Sequence, residues 1–282
     1  MVNQEPHSSP EEHEPVPGEA IARQLACTDF PWDITRALEL ALFRSFAGPR
    51  IARLLDATGE FGARARRRYD DTVLLLAYII ELGPNSALGR RALCQMNAIH
   101  GQFKIANEDF LYVLSTFIFE PLRWIDRFGW RALSEAEREA WFDFWCAVGR
   151  AMNIADIPPT PAAFEAASRA YEAEHFVFSK EARAVAMATM RMFAGPAPSF
   201  LHPLVRSGIA GLLDERLRVA VGFLPAPIMG VVVRAVLDGR KRVLRHLPKR
   251  KRAQQKLTKM WPTHPEGFVP ETLGPPSFLR RR

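Results

Sequence analysis

The stretch 108-EDFLYVLSTFIFEPLRWIDRFG-129 carries apolar residues around most of a helical circumference. A helix with no polar face has to be enclosed by others, so this segment is expected at the centre of the fold. Glu108 and Asp109 stand in its first turn, where a helix N-terminus favours negative charge, and Asn107 before them reads as its N-cap.

Helical periodicity continues on both sides. Upstream, in 90-RRALCQMNAIHGQFKI-105, Ala92, Met96, Ile99 and Phe103 recur at the three- and four-residue spacing of an apolar stripe, and His100 borders it. Before that, a long helix is expected from Ala63 to Leu82, closed by "GPNS", with shorter helices at Trp32–Phe46 and Pro49–Ala57. Downstream, Ser134 and Glu137 form a capping box ahead of "REAWFDFWCAVGRAMNI", and Pro161 sets up a helix through Tyr171. Further helices are expected at Lys180–Phe193, Leu201–Leu217 and Pro227–Leu244. No alternating apolar and polar run is long enough to argue for a sheet, and no internal repeat is present, so the class is all-α.

The 282 residues, 48% of them hydrophobic, suit one domain with irregular ends. Residues 1–28 are polar and proline-rich and read as a flexible leader, residues 29–258 as the helical domain, and residues 259–282 as an irregular proline-rich tail. The start lacks the basic and apolar segments of a secretory signal. Cys27, Cys94 and Cys146 are odd in number and widely spaced, which suggests neither zinc site nor disulfide framework but a reducing, cytoplasmic setting.

The net charge is +7 and the pI about 9.7. Much of the excess lies in 239-GRKRVLRHLPKRKRAQQK-256, which contains no acid. It follows an apolar stretch, Val219–Leu237, which Pro225, Pro227 and Arg234 interrupt; a spanning helix needs about 20 mostly apolar residues. Residues 219–252 therefore read either as a solvated charged segment or as a contact with an anionic membrane surface, rather than a bilayer crossing. No aromatic residues interleave with these charges as a nucleic-acid stacking surface requires, so nucleic acid is not an expected partner.

Zinc-protease, nucleophile-elbow, phosphate-loop and dinucleotide signatures are all missing. Two polar features remain on otherwise apolar helices. In 64-RARRRYDDTVLLLAYII-80, Arg68 and Thr72 are one turn apart at the head of a stripe continued by Leu75, Leu76 and Ile79. Polar groups there need a partner: Glu60, Asp71 or Asp109 in a structural role, or the rim of a bound cofactor. Tyr69, Asp70 and Asp71 could equally be solvated. His100 is either a hydrogen-bonded core residue or a ligand, and a lone imidazole suits a haem iron, which needs one proximal histidine, better than zinc, which takes about four ligands. The other histidines, His7, His13, His175, His202, His246 and His264, are scattered, and Glu172 with His175 is the single Glu-x-x-His match, too few for a di-iron bundle site.

The series "RRRYDDT", then "MNAIHGQFKIANEDFLYVLSTFIFEPLRW", then "SEAEREAWFDFWCAVGRAMNIADIP" resembles the catalytic-domain family of MpaB-type oxygenases and latex-clearing rubber oxygenases, from about residue 40 to residue 250. The resemblance implies a globin-like helical core binding haem b, with His100 as the iron ligand and Phe103 beside the cofactor. It implies that Arg68 and Thr72, with Asp71 between them, face bound dioxygen. Rubber oxygenases carry a lysine directly before the threonine; this chain has Asp71, so an iron-capping lysine is absent at that position. Glu60 is the nearest candidate for their distal glutamate. The expected activity is haem-dependent oxygenation of an isoprenoid- or lipid-like substrate, with cleavage of a carbon–carbon double bond as the concrete form. The alternatives are a haem-binding protein without turnover, and a cofactor-free helical protein at a membrane surface.

Overall fold

The computed structural model describes residues 13–250 and 252–279. The chain runs through α1 (Glu19–Gln24), a π turn (Leu25–Asp29), α2 (Pro31–Ala47), α3 (Pro49–Ala57), α4 (Glu60–Leu82), α5 (Ala87–His100), α6 (Asn107–Phe128) and α7 (Glu135–Ala151). It continues through α8 (Pro161–His175), α9 (Lys180–Ala194), α10 (His202–Leu212), α11 (Glu215–Ala220), α12 (Pro227–His246) and α13 (Pro276–Leu279). No strand occurs among the described residues, so the class is all-α.

Helix starts are written in the sequence. Pro31, Pro49, Pro161 and Pro227 open their helices, where the missing N–H costs nothing. Ser86, Ser134, Thr160, Ser179 and Asp214 each accept a backbone N–H from the first turn. Ser134 and Glu137 form the expected reciprocal capping box.

Helix α6 is central, burying Tyr112, Leu114, Ile118, Phe119, Trp124, Ile125 and Phe128. Pro121 in its interior cannot donate to the carbonyl of Phe117. The indole N–H of Trp141 on α7 takes that place, lying 3.3 Å from Phe117 O and 3.2 Å from Ile118 O. The main core gathers α1, α4, α5, α6 and α7; a second cluster joins the end of α2 to α9, α10 and α11. Between them Arg44 on α2 contacts Glu120 (2.8 Å), Glu172 (2.9 Å) and Asp214 (2.5 Å), tying α2 to α6, α8 and the cap of α11. Burial works against its charge, yet the three carboxylates hold its pKa above the ordinary value.

Four expectations are corrected. The leader ends earlier than residue 28: α1 lies inside it, with Ala22 and Leu25 buried, and Gly18 (φ 76°) lets it approach α7 so closely that a Cβ would stand 1.9 Å from Ala140 O. Residues 1–12 lie outside the described part. Asn107 is not a cap; its amide exchanges hydrogen bonds with the backbone of Ala155 (2.9 Å each way), and Ala106 precedes the helix. The helix expected over Leu201–Leu217 breaks in two, because Asp214 caps the N–H of Leu217 (3.0 Å) and starts α11. Residues 259–282, expected to be irregular, include the four-residue α13, and the chain beyond α12 is packed: Leu257 and Leu273 are buried in the main core and His264 is 7% exposed.

Replacing Arg44 with methionine leaves Glu120 and Glu172 without their shared cation. We expect about 3 to 5 kcal/mol of lost stability in urea unfolding, larger than for Arg169→Met, which removes one exposed pair to Glu165.

Candidate functional site

Helix α4 departs from helical geometry at Arg64 (φ −143°, ψ 39°) and then runs without interruption, so Arg68 and Thr72 stand one turn apart on its regular part. Arg68 donates through Nη1 to Thr72 Oγ1, and that hydroxyl donates back to the Arg68 carbonyl at 3.0 Å. The three carboxylates that could have neutralised Arg68 are engaged elsewhere. Glu60 accepts from Arg64 (3.1 Å to Nε), Asp71 bonds His264 Nε2 (2.9 Å), and Asp109 accepts from Arg50 (2.8 Å) and Tyr171 (2.5 Å). Among the described residues Arg68 forms no ion pair, and burial, only partly opposed by Asp71 and Glu60, pulls its pKa below the ordinary value. A guanidinium with five donors and one hydroxyl partner retains donors for something else.

Helix α5 is anchored at both ends. Ser86 caps its start, accepting from Gly89 N at 2.9 Å, and Asn97 donates to Ala151 O at 3.0 Å near its finish. The helix stops at His100, with Gly101 following, so Phe103 is not on the stripe as expected; it sits half-buried in the next turn, its N–H donating to His100 O at 3.0 Å. The His100 ring packs edge-on against Phe110 at the start of α6, centroids 5.5 Å apart. Its Nδ1 is buried with no hydrogen-bond partner, and neither ring nitrogen bonds another described residue.

A helix C-terminus favours a protonated imidazole by typically 0.3–1 kcal/mol. At His100 the opposite wins. Burial first, and then the Arg68 charge, lower its pKa to about 4, so at neutral pH the ring is uncharged and keeps a free lone pair. The influence of Arg68 on His100 also places the two polar features of the sequence in one electrostatic neighbourhood. On α7, Trp145 leans on Phe117 of α6 at 5.1 Å between centroids, with its Nε1 buried and unpartnered. Among the described residues no group of three or more His, Cys, Asp or Glu could hold a metal ion.

Asp71 is 2% exposed rather than solvated. Burial raises its pKa, while His264, Arg68 and Arg67 oppose the rise. Asp70, with no exposed surface, accepts from Arg66 (3.1 Å) and from Thr263 (2.7 Å). Two adjacent tail residues therefore grip two adjacent carboxylates beside Arg68 and Thr72. Sequence reasoning passed over Thr263 and His264, and Phe110; the apolar residues Leu257, Trp261 and Phe268 among the tail prolines were the signal that this segment packs.

Thr72 also lines a pocket of about 250 Å³ between α2 and α4, walled by Ile34, Leu38, Leu76 and Phe117 and bordered by Gln254 and Lys256 from the segment after α12. Apolar walls with a few convergent polar groups suit a small organic ligand.

Residues 40–239 match the family described as "ER-bound oxygenase mpaB/B'/Rubber oxygenase, catalytic domain". The chain is 30% identical over 246 residues to the ER-bound oxygenase mpaB' of Penicillium brevicompactum, covering 80% of this chain and 58% of that protein. It is 29% identical over 219 residues to the ER-bound oxygenase mpaB of Penicillium roqueforti (strain FM164), covering 71% of this chain and 74% of that protein. A third relative, the ER-bound oxygenase mpaB of Penicillium brevicompactum, is 29% identical over 203 residues, 52% of its length. The chain thus spans between about half and three quarters of these relatives.

In a ¹⁵N NMR titration of the cofactor-free protein, His100 is expected to remain neutral until the pH falls to about 4. Arg68→Ala removes a like charge and should move that midpoint upward; an unchanged midpoint would separate the two residues electrostatically.

Proposed function

We propose that this chain, which belongs to the MpaB and rubber oxygenase catalytic-domain family, is a haem-dependent oxygenase of an isoprenoid- or lipid-like substrate, with oxidative cleavage of a carbon–carbon double bond as its reaction. The observation that carries the reading is the pair of unmet polar groups: a neutral, half-buried His100 whose enclosed Nδ1 has no hydrogen bond, and an Arg68 whose possible counterions all have other partners.

These residues fit haem b. His100 offers one neutral imidazole, which is all that a haem iron requires of the protein, and Phe110 holds its ring edge-on. Haem iron supplies the one-electron and dioxygen chemistry that amino-acid side chains lack. Arg68 would contribute guanidinium donors for negative charge developing on oxygen, held in place by Thr72, whose own hydroxyl proton is given to the Arg68 carbonyl. Asp71, fixed by His264, stands beside Arg68, and its charge opposes the burial that lowers the pKa of that guanidinium. Phe103, half-buried just past His100, closes the turn on that side. The apolar walls next to Thr72 exclude water from the reacting chain.

Protein expressed with haem precursor should show a Soret band that shifts on reduction with dithionite, and His100→Ala prepared identically should lose or strongly alter it. A colourless wild type that also fails to take up added haem would remove the reading. Arg68→Ala and Thr72→Ala should keep the band while dioxygen uptake with squalene as test substrate falls by roughly 10²–10³.

The same reading includes peripheral contact with an anionic membrane. No helix among the described residues is long and apolar enough to cross a bilayer. Helix α12 leaves Ile228 80%, Val231 62% and Val236 65% exposed, and Leu224 just before it is 84% exposed. It crosses α10 where Gly211 and Gly230 meet, a Cβ on Gly211 standing 2.6 Å from the Gly230 Cα, so apolar side chains nearby point away from the body. The basic run follows directly, with Arg242, Arg245, Lys249 and Arg250 exposed. Each such charge near an anionic surface contributes about 1 kcal/mol, and the apolar face adds burial. Vesicles of phosphatidylcholine with phosphatidylserine should pellet the protein, less so at high salt, and Ile228→Glu with Val236→Glu should abolish pelleting while the Soret band persists.

A further inference from the structure

The pocket beside Thr72 has a polar end that the proposed oxygenase reading does not use. It follows one face of α4, with Tyr69, Thr72, Val73, Leu76 and Ile80 at helical spacing along its wall and Glu81 beyond them. From Thr72 to Glu81 the helix rises about 14 Å. At the Glu81 end the tail closes over the pocket: the backbone N–H groups of Lys256 and Leu257 donate to the Glu81 carboxylate at 2.6 and 3.4 Å.

Lys256 is the unusual group there. Its side chain lines the pocket, yet among the described residues its ammonium has no ion pair and no hydrogen bond. The two acids that share the pocket are already engaged. Glu39 accepts from Tyr69 (2.6 Å) and Arg36 (2.6 Å), and Glu81 accepts the backbone N–H groups just named. Burial lowers the pKa of Lys256, opposed first by the Glu81 charge, and burial raises those of Glu39 and Glu81; the acids influence the cation without forming an ion pair with it. Lys259 lies at the exposed rim with a second ammonium. A half-buried cation whose neighbouring acids are committed to other donors can take up an anion that a ligand brings.

We propose that this pocket holds an amphipathic substrate by an anionic headgroup, a carboxylate or phosphate seated on Lys256 with Lys259 at the rim, while its hydrocarbon chain lies against Leu38, Leu76 and Phe117 and reaches Thr72. The proposal deepens the oxygenase reading and rests on it for the role of Thr72. Headgroup capture fixes how far along the chain the carbon facing Thr72 lies, so Lys256 sets the position of attack by measuring from the charged end. It selects free acids over the corresponding neutral alcohols and hydrocarbons.

The test reads binding rather than turnover. cis-Parinaric acid fluorescence on the full chain is displaced by dodecanoate, dodecyl phosphate or dodecanol. Dodecanoate or the phosphate should compete at least about tenfold better than dodecanol. The better of the two identifies the headgroup. Lys256→Met should erase the preference without weakening dodecanol, Lys256→Arg should retain it, and Leu38→Trp, which fills the pocket, should abolish displaceable binding by all three. The proposal is overturned if acid and alcohol compete equally, if the preference survives Lys256→Met, or if Leu38→Trp still binds, the last pointing to adsorption on the exposed α12 face. Thermal melts accompany each variant; if Lys256→Met does not fold, Lys256→Gln carries the same comparison. His100→Ala should bind parinarate normally, so loss of the Soret band and loss of headgroup selectivity report separate failures.

Discussion

Asp70 and Asp71 are two adjacent carboxylates with almost no exposed surface on the helix that carries the candidate site, and the chain has to satisfy both. An unpaired buried charge would cost several kcal/mol, more than a domain of this size can leave uncompensated. Part of the solution is local, since Arg66 pairs with Asp70 one turn away, and part comes from the far end of the sequence: Thr263 and His264 reach Asp70 and Asp71 across 193 residues in each case. Gln254 N on the Cys27 carbonyl, Tyr78 on the Phe268 carbonyl and Gln95 on the Leu273 carbonyl extend the same strap over the π turn, α4 and α5. Residues past α12 are in this way part of the site's foundation.

The contrast between Arg44 and Arg68 separates a cation that fastens helices from one left short of partners. Both are arginines turned inward from long helices. Arg44 meets Glu120, Glu172 and Asp214, and its charge is held firmly. Arg68 meets one hydroxyl on its own helix, and its charge is strained by burial. His100 resembles Arg68 in this respect, lying where a helix terminus would welcome a proton while burial refuses it. Lys256 is a third case, a cation in an apolar pocket whose neighbouring acids have other partners. Polar groups left short in otherwise well-satisfied surroundings are where ligands are expected.

Helix α4 joins these features because its opposite strips do different work. The face through Tyr69, Thr72, Val73 and Leu76 lines the pocket, while Leu74, Leu75 and Ile79 are buried in the core. Thr72 belongs both to the Arg68 pair and to the pocket wall. Shifting the helix by one residue would rotate it by about 100° and separate those roles, so the packing that sets its register also sets the site.

Local chemistry was enough to write most helices into the sequence: prolines at first positions, hydroxyl and carboxylate caps, and three- and four-residue apolar spacing have the same meaning wherever they occur. The capping box at Ser134, the central place of α6 and the position of Arg68 and Thr72 on one helical face were legible for that reason. Partner choice was not legible. Whether Arg68 pairs with Glu60, Asp71 or Asp109, whether Asp70 and Asp71 are solvated, and whether a proline-rich tail packs all depend on segments far apart in sequence, and spacing carries no information about those. Asn107 shows the limit most simply: it had the residue type of a cap, but a distant backbone at Ala155 offered its amide both a donor and an acceptor, and tertiary structure decided between them.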